Sequence, residues 1–337
     1  MALKEYIRRI KGMSLDRMFT NVDTIHDLYG KNKLITTADM IYSLLKYGTG
    51  YQDYNVFGYA VIHGKNRATF VNNSMSRELC RLANNREYMH FFKDKAEFCE
   101  TFREFIGRDF INLNKCSETE FLEFLEGKTV IFAKKPDTFG GEGVRCIHLD
   151  EPSDGLLDSL KSENFNLCED RIIQHPVMQK LHPDCVNSIR MTTLVGKDGP
   201  HFLYSLMRIG ASDKPIDNIC GGGLYLLLDG EGRSISKAFS EKTNEYFDKH
   251  PISGVDFESF VVPYHRETVE MVKKAAMKVP QVGYIGWDVA ITENGPVLIE
   301  GNVLPGYDMC QNTNLSKENH GLLPTIRSIP GYENIGR

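Results

Sequence analysis

The sequence predicts an α+β protein with a helical amino-terminal region. Three features carry that expectation. Apolar residues recur at helical spacing up to about residue 90, strand-like β-branched runs begin at Thr129, and an apolar hairpin, GWDVAITENGPVLIEGN, stands near the carboxyl end. With 337 residues, 41% of them hydrophobic and 25% charged, the chain reads as a soluble globular protein of two domains with a sizeable core.

The elements follow in order. The first dozen residues, MALKEYIRRIKG, mix charged and apolar residues at helical spacing, unlike a signal peptide. Thr36-Thr37-Ala38-Asp39 opens the helix MIYSLLKYG, and Asn73-Ser74 opens MSRELCRLAN. This region has no glycine-rich strand-to-helix turn, which argues against an amino-terminal Rossmann domain. The helices AEFCETFREFIG and EFLEFLEG follow, the second behind a capping box from Ser117 to Glu120. Strands are then expected at TVIFAKK, VRCIHL, DRIIQ, SIRMTTLV, HFLYSLMRI and GLYLLLD, with a short helix at GLLDSLKS and a hairpin turn at Asp229 to Gly232. SEKTNEYFDKHPISG reads as a polar connector to the long helix RETVEMVKKAAMKV, and the tail after Gly306 reads as irregular.

Composition removes several classes of function. The net charge is -5 and no Lys/Arg run exceeds a pair, which argues against nucleic acid as the main partner. No apolar run approaches membrane-spanning length. Eight cysteines are scattered without a CxxC pair or zinc-ligand spacing, as expected of reduced thiols in a cytoplasmic protein. His148 and His201 lie in strand runs and read as structural.

The closing hairpin carries two carboxylates and an amide: Asp288, Glu300 and Asn302. A two-residue Asn294-Gly295 loop would put Asp288 and Glu300 on opposite faces, because side chains alternate along a strand. A three-residue loop, Glu293-Asn294-Gly295, with Gly295 at positive φ closing a bulged turn, pairs Thr292 with Pro296 and sets Asp288 opposite Glu300. Facing carboxylates repel unless a cation joins them, and hard oxygen ligands with an amide suit magnesium. The alternative is two solvated acids on an exposed face.

A phosphate partner is expected at PDTFGGEGV, between two strands. The arrangement differs from a Walker loop, which runs into a helix. Gly140, Gly141 and Gly143 would let backbone N–H groups close on phosphate oxygens, with Lys135 as a point charge at the loop base. In DRIIQHPVMQ the expected strand stops at Gln174 and breaks at Pro176, so the backbone around Gln174 and Val177 could meet an adenine edge. Arg190 and Arg208, on flanking strands, would clamp a phosphate or carboxylate.

The blocks KPDTFGGEGV, NSIRMTTL, RIGASDKPIDNICGGG and GWDVAITENGPVLIEGN resemble the ATP-grasp superfamily, in particular its sugar-transfer associated branch, over roughly residues 50 to 315. The resemblance implies an ATP-grasp fold of two α+β lobes enclosing ATP. Residues 1–90 would form the helical region, 91–175 the lobe with the glycine flap, and 176–337 the lobe with the metal-binding hairpin. It implies ATP and Mg2+ as cofactors, Asp288, Glu300 and Asn302 as metal ligands, and Lys95 approaching ATP from the other lobe. D-alanine–D-alanine ligases of the superfamily carry an arginine two residues before the first metal carboxylate. Gly286 stands there in this chain, so Arg190, or else Arg208, would supply the catalytic cation.

The expected function is an ATP- and magnesium-dependent ligase joining a small-molecule carboxylate to an amine through an acyl phosphate, with surface-glycan or peptide-like metabolite assembly as the setting that the family name implies. A kinase on the same scaffold would need a base such as Asp217 beside a hydroxyl. A non-catalytic nucleotide-binding regulator is the third reading.

Overall fold

The computed structural model describes residues 14–136, 138, 143–149, 155–211 and 222–337. The first dozen residues, Gly140, Gly141 and Asp217 lie outside the described residues. Two compact units make up the chain: residues up to Leu79 with Gly306–Arg337, and Cys80–Pro305. These bounds differ from the expected divisions at 90 and 175. Both sheets belong to one unit, and the tail belongs with the amino-terminal helices.

In the first unit, the helices Leu15–Tyr29, Lys33–Tyr47 and Tyr51–Val56 bury Met18, Val22, Ile25, Met40 and Tyr54 against Phe57, Tyr59 and Phe70. The second helix starts three residues before Thr36, because the Asn32 side chain accepts from the N–H groups of Leu34 and Ile35 at 3.0 and 3.2 Å and caps it. The tail is ordered by partners far away in sequence. The Gln311 side chain accepts from the Val71 N–H at 2.9 Å and donates to its carbonyl at 3.0 Å. Gly58, at φ 62°, packs so closely on Thr313 that an added Cβ would lie 2.2 Å from its Oγ1. The Tyr307 hydroxyl donates to buried Asp53 at 3.0 Å.

The second unit holds two antiparallel sheets. The smaller comprises β1 (Phe110–Asn112), β2 (Val130–Lys134), β3 (Val144–His148) and β4 (Leu167–Asp170), in the order β1-β4-β2-β3. Along β2 the side chains alternate, so Ile131 and Ala133 enter a core with Phe121, Leu125, Leu157 and Leu160, while Phe132 and Lys134 face the other way. The capping box of Ser117 and Glu120 is present at the helix Glu118–Leu125. The strand expected at DRIIQ is displaced: the pairing residues are Leu167–Asp170, and residues 171–175 leave the sheet.

The larger sheet comprises β5 (Ile189–Gly196), β6 (Gly199–Ile209), β7 (Leu224–Leu227), β8 (Ala238–Ser240), β9 (Glu245–Phe247), β10 (Tyr284–Thr292) and β11 (Gly295–Asn302), in the order β11-β10-β5-β6-β7-β8-β9. Strand β9 falls within the stretch read as a connector, and β1 was not expected either. Each spans three residues, too few for a period-two pattern. On one face of β10, Trp287 packs against Phe92 and Phe102, and its Nε1 donates to Thr193 Oγ1 at 2.9 Å. Asp288 necessarily points to the other face.

The hairpin register reaches the expected pairing by a different device. The turn is Glu293-Asn294, with Thr292 opposite Gly295 and Ile291 opposite Pro296, not Thr292 opposite Pro296. A straight continuation would set Ile299 opposite Asp288. Instead the register shifts between Asp288 and Val289, so that Val289 faces Leu298, Ile299 is the extra residue, and Asp288 faces Glu300. Gly295 does take a positive φ, 113°.

Candidate active site

Strand order puts three charged residues on one rung. Asp288 on β10 pairs with Glu300 on β11 on one side and with Arg190 on β5 on the other. Arg190 Nε and Nη2 donate to the two oxygens of Asp288 at 2.5 and 3.1 Å, and Arg208 Nη1, from β6, adds a bond to Oδ2 at 2.9 Å. Asn302 Nδ2 lies 3.3 Å from both Asp288 Oδ2 and Glu300 Oε1. Burial opposes ionisation of Asp288, but the guanidiniums of Arg190 and Arg208 outweigh it and hold the carboxyl below its ordinary range. Glu300 is driven the opposite way, raised by burial and by the Asp288 carboxylate beside it. The rung therefore pairs an ionised acid held by two guanidiniums with one on which the Lys134 charge only partly offsets burial and the Asp288 carboxylate.

Gly286 explains how Arg190 fits. A Cβ at 286 would lie 3.1 Å from Arg190 Cδ and 3.4 Å from its Nη1, so the arginine side chain occupies the space a side chain at 286 would need.

Beside the rung runs a cleft of about 480 Å³, with Phe132, Val144, Ile173 and Ile299 as apolar walls and Lys134 and Glu169 among its polar lining. Its size is in the range of small-ligand sites. A smaller cavity of about 30 Å³ is lined by Lys95, Lys134, Thr138, Ile299, Glu300 and Asn302, so Lys134 and Ile299 belong to both spaces. Glu169, fully buried, pairs with Lys134 and with Arg108, whose Nη2 donates at 2.8 Å. Burial works against its charge, yet these two cations hold its carboxyl below the ordinary range. Arg108 Nη1 also donates to the carbonyl of Leu298 at 2.8 Å, tying this ion pair to β11.

The profile of sugar-transfer associated ATP-grasp proteins matches residues 126–329. The chain belongs to that family. No curated protein matches it in sequence. Among solved structures it is similar to the N5-carboxyaminoimidazole synthetase of Staphylococcus aureus in complex with ADP, at 11% identity and a TM-score of 0.43, over 70% of this chain and 56% of that one. It is also similar to the D-alanine–D-alanine ligase of Coxiella burnetii (12% identity, TM-score 0.36, 64% and 49%) and to the L-amino acid ligase of Bacillus licheniformis (12% identity, TM-score 0.38, 64% and 41%). The chain thus spans about half the length of these proteins.

Within this ATP-grasp chain, the residues expected from sequence fall into two groups. Arg190, Arg208, Asp288, Glu300 and Asn302 converge on the rung, and Lys95 shares a cavity with the last two. The Lys95 ammonium donates to the carbonyls of Lys135 and Thr138 at 3.1 and 2.7 Å and to Thr138 Oγ1 at 2.9 Å, which fixes it at the base of the glycine loop. Gly143, at φ 74°, closes that base by accepting the Lys135 N–H at 2.9 Å.

The others are placed differently. Lys135 turns away from the cleft, with its ammonium 5.0 Å from the Phe165 ring centroid, and Lys134 faces the cleft in its place because side chains alternate at the end of β2. Gln174 lines the cleft, but its amide is engaged within the fold: it donates to the carbonyls of His182 and Cys185 and accepts from the Asn187 N–H. Val177 does not line it; its N–H donates to His175 Nδ1, which caps the short helix Pro176–Gln179. Sequence reasoning missed Glu169, Arg108 and Ile299. The first two meet only through the sheet pairing, and the third faces the cleft only because of the bulge.

Among the described residues no three acidic, His or Cys side chains cluster as a metal site; the rung offers two carboxylates and an amide. Glu300, raised by burial and by the Asp288 charge, and Asp288 are adjacent carboxylates. Asn302 turns its Nδ2 to both, and Arg190 and Arg208 occupy the Asp288 oxygens. A divalent cation here would need the amide turned to present its oxygen and Asp288 shared with the arginines. Asp288, Glu300 and Asn302 would hold it.

Proposed function

We propose that this chain is an ATP- and magnesium-dependent carboxylate–amine ligase that forms an amide through an acyl phosphate. The observation that carries this reading is the shared lining of the two spaces. Lys134 and Ile299 belong both to an apolar-walled cleft that suits a nucleotide base and to the small cavity holding Lys95, Glu300 and Asn302. In this reading Lys134 and Lys95 neutralise the phosphate chain. Bound magnesium would neutralise charge on the phosphate oxygens. Arg190 and Arg208, already oriented by Asp288, stabilise the negative charge spread over the transferring group.

The chemistry balances without a side-chain nucleophile. A carboxylate oxygen of the acid attacks the γ-phosphorus and ADP leaves. The amine nitrogen then attacks the acyl carbon, loses a proton, and phosphate leaves. A role in surface-glycan or peptide-like metabolite assembly rests on the family's description alone. A cytoplasmic setting rests on the scattered cysteines. No helix among the described residues is long and apolar enough to cross a membrane.

The test is a screen of acids and amines in which ADP, AMP and free phosphate are measured in parallel, with each substrate omitted in turn. A ligase gives ADP and free phosphate together, and only when acid and amine are both present. ADP without free phosphate would replace this reading with the kinase, and AMP as the main product would overturn the mechanism.

A further inference from the structure

The first unit carries a second cleft, of about 710 Å³, beside the helix Lys33–Tyr47. Its aromatic wall is organised by one cation. The rings of Tyr42 and Tyr47 stand edge to face at 6.2 Å and 85°, and the Lys46 ammonium lies 5.1 and 5.3 Å from their centroids while donating to the Tyr42 hydroxyl at 2.6 Å. Its floor is fixed from below. Buried Arg67 donates to both oxygens of Asp39 at 2.7 and 2.6 Å, to Ser43 at 3.2 Å and to the carbonyls of Ile62 and Tyr59, and the Tyr54 hydroxyl donates to Asp39 at 2.6 Å. Lys31 and exposed His63 complete the rim.

Three cations line this cleft against one carboxylate, on a chain whose net charge is negative. The floor carboxylate is neutralised by Arg67, so the excess positive charge sits at the rim with Lys31 and Lys46. The wall offers flat, half-exposed rings that also carry hydroxyls, a surface suited to a ligand with one apolar face and a polar edge. A purely aromatic acid would strip water from Asn32, Asp39, His63 and the tyrosine hydroxyls without replacing their hydrogen bonds, a cost that a polyhydroxylated ring avoids.

We propose that this cleft binds an anionic sugar, a hydroxylated ring bearing a carboxylate or phosphate, with the ring against Tyr42 and Tyr47 and the anion at Lys46 and Lys31. This site is separate from the nucleotide cleft and does not depend on the ligase reading. Calorimetric titration of the full chain, without nucleotide, tests it using glucuronate, glucose 1-phosphate, glucose, benzoate and inorganic phosphate. At least one of the two anionic sugars binds at least tenfold more tightly than glucose, benzoate or phosphate, and which one binds separates the carboxylate from the phosphate. Tyr42→Ala and Lys46→Gln, both at exposed positions, each weaken that binding at least tenfold, and Lys134→Ala leaves it unchanged. Absence of binding by both anionic sugars at 10 mM or so overturns the proposal. So does glucose, benzoate or phosphate binding as tightly, or retention of affinity in both cleft variants.

Discussion

Asp288 faces Glu300 across β10 and β11 because Ile299 is an extra residue in the ladder between Leu298 and Glu300. The bulge does two things: it keeps both carboxylates on the rung with Arg190, and it turns Ile299 into the wall of the neighbouring cleft.

Glu300→Gln is expected to lower ADP formation by at least about 100-fold, since it removes a charge from the metal set without changing shape. Because Glu300 is pressed against Asp288, the variant should fold with an undiminished melting temperature. Activity near that of the parent protein at saturating magnesium would remove Glu300 from the metal set.

The two lysines at the end of β2 should behave unequally. Lys134→Ala is expected to weaken ATP binding about tenfold or more, and to cost roughly 1–3 kcal/mol of stability because buried Glu169 loses one of its two partners. Lys135→Ala, at a side chain that lies over Phe165, should change ATP affinity less than about twofold. Equal effects on ATP affinity would show that the lysine facing the cleft is not the one that matters.

Arg190→Ala should depress the rate far more than ATP affinity, because its charge is needed where the transferring group is most negative. The space next to Gly286 supplies a further test. Combining Arg190→Ala with Gly286→Arg places a guanidinium in the volume just vacated, close to Pro305, and should restore part of the rate. Equal loss of rate and affinity in the single variant would instead mark Arg190 as part of the nucleotide site.

The first unit should show its own pH dependence. Burial pushes Asp53 up from 3.8 to about 7, with Asp308 adding to the rise and the Tyr307 hydrogen bond opposing it. The folded chain therefore keeps a proton that the unfolded chain has lost. Stability of this unit should fall by roughly 4 kcal/mol as pH climbs from about 4 to about 7, then level off. Asp53→Asn should flatten that profile and stabilise the unit at neutral pH, as read by amide exchange in the helix Tyr51–Val56. An unchanged slope in the variant would exclude Asp53 as its source.

The sequence conveyed the rung better than it conveyed its surroundings. Residue types and spacing in GWDVAITENGPVLIEGN were enough to bring Asp288, Glu300 and Asn302 together, although the turn proposed for them was one residue too long. A bulge at Ile299 has the same effect on parity as a longer loop, so the pairing of Asp288 with Glu300 survives the shorter turn. The choice between Lys134 and Lys135 depended on which face of β2 meets the core, and a run of apolar residues ending in two lysines does not tell. Glu169 was hidden for another reason: it pairs with Arg108 and Lys134, distant in sequence, and so leaves no local pattern.

The first unit is assembled from both ends of the described chain. Val71 is satisfied by Gln311, Gly58 is covered by Thr313, and Asp53 is capped by Tyr307, with the whole of Cys80–Pro305 between them. During synthesis, the sheet-bearing unit has all its residues available while the earlier helices still lack their last partners. Those helices therefore keep Asp53 and the Val71 peptide unsealed until the segment after Gly306 has been made, so their packing is completed last.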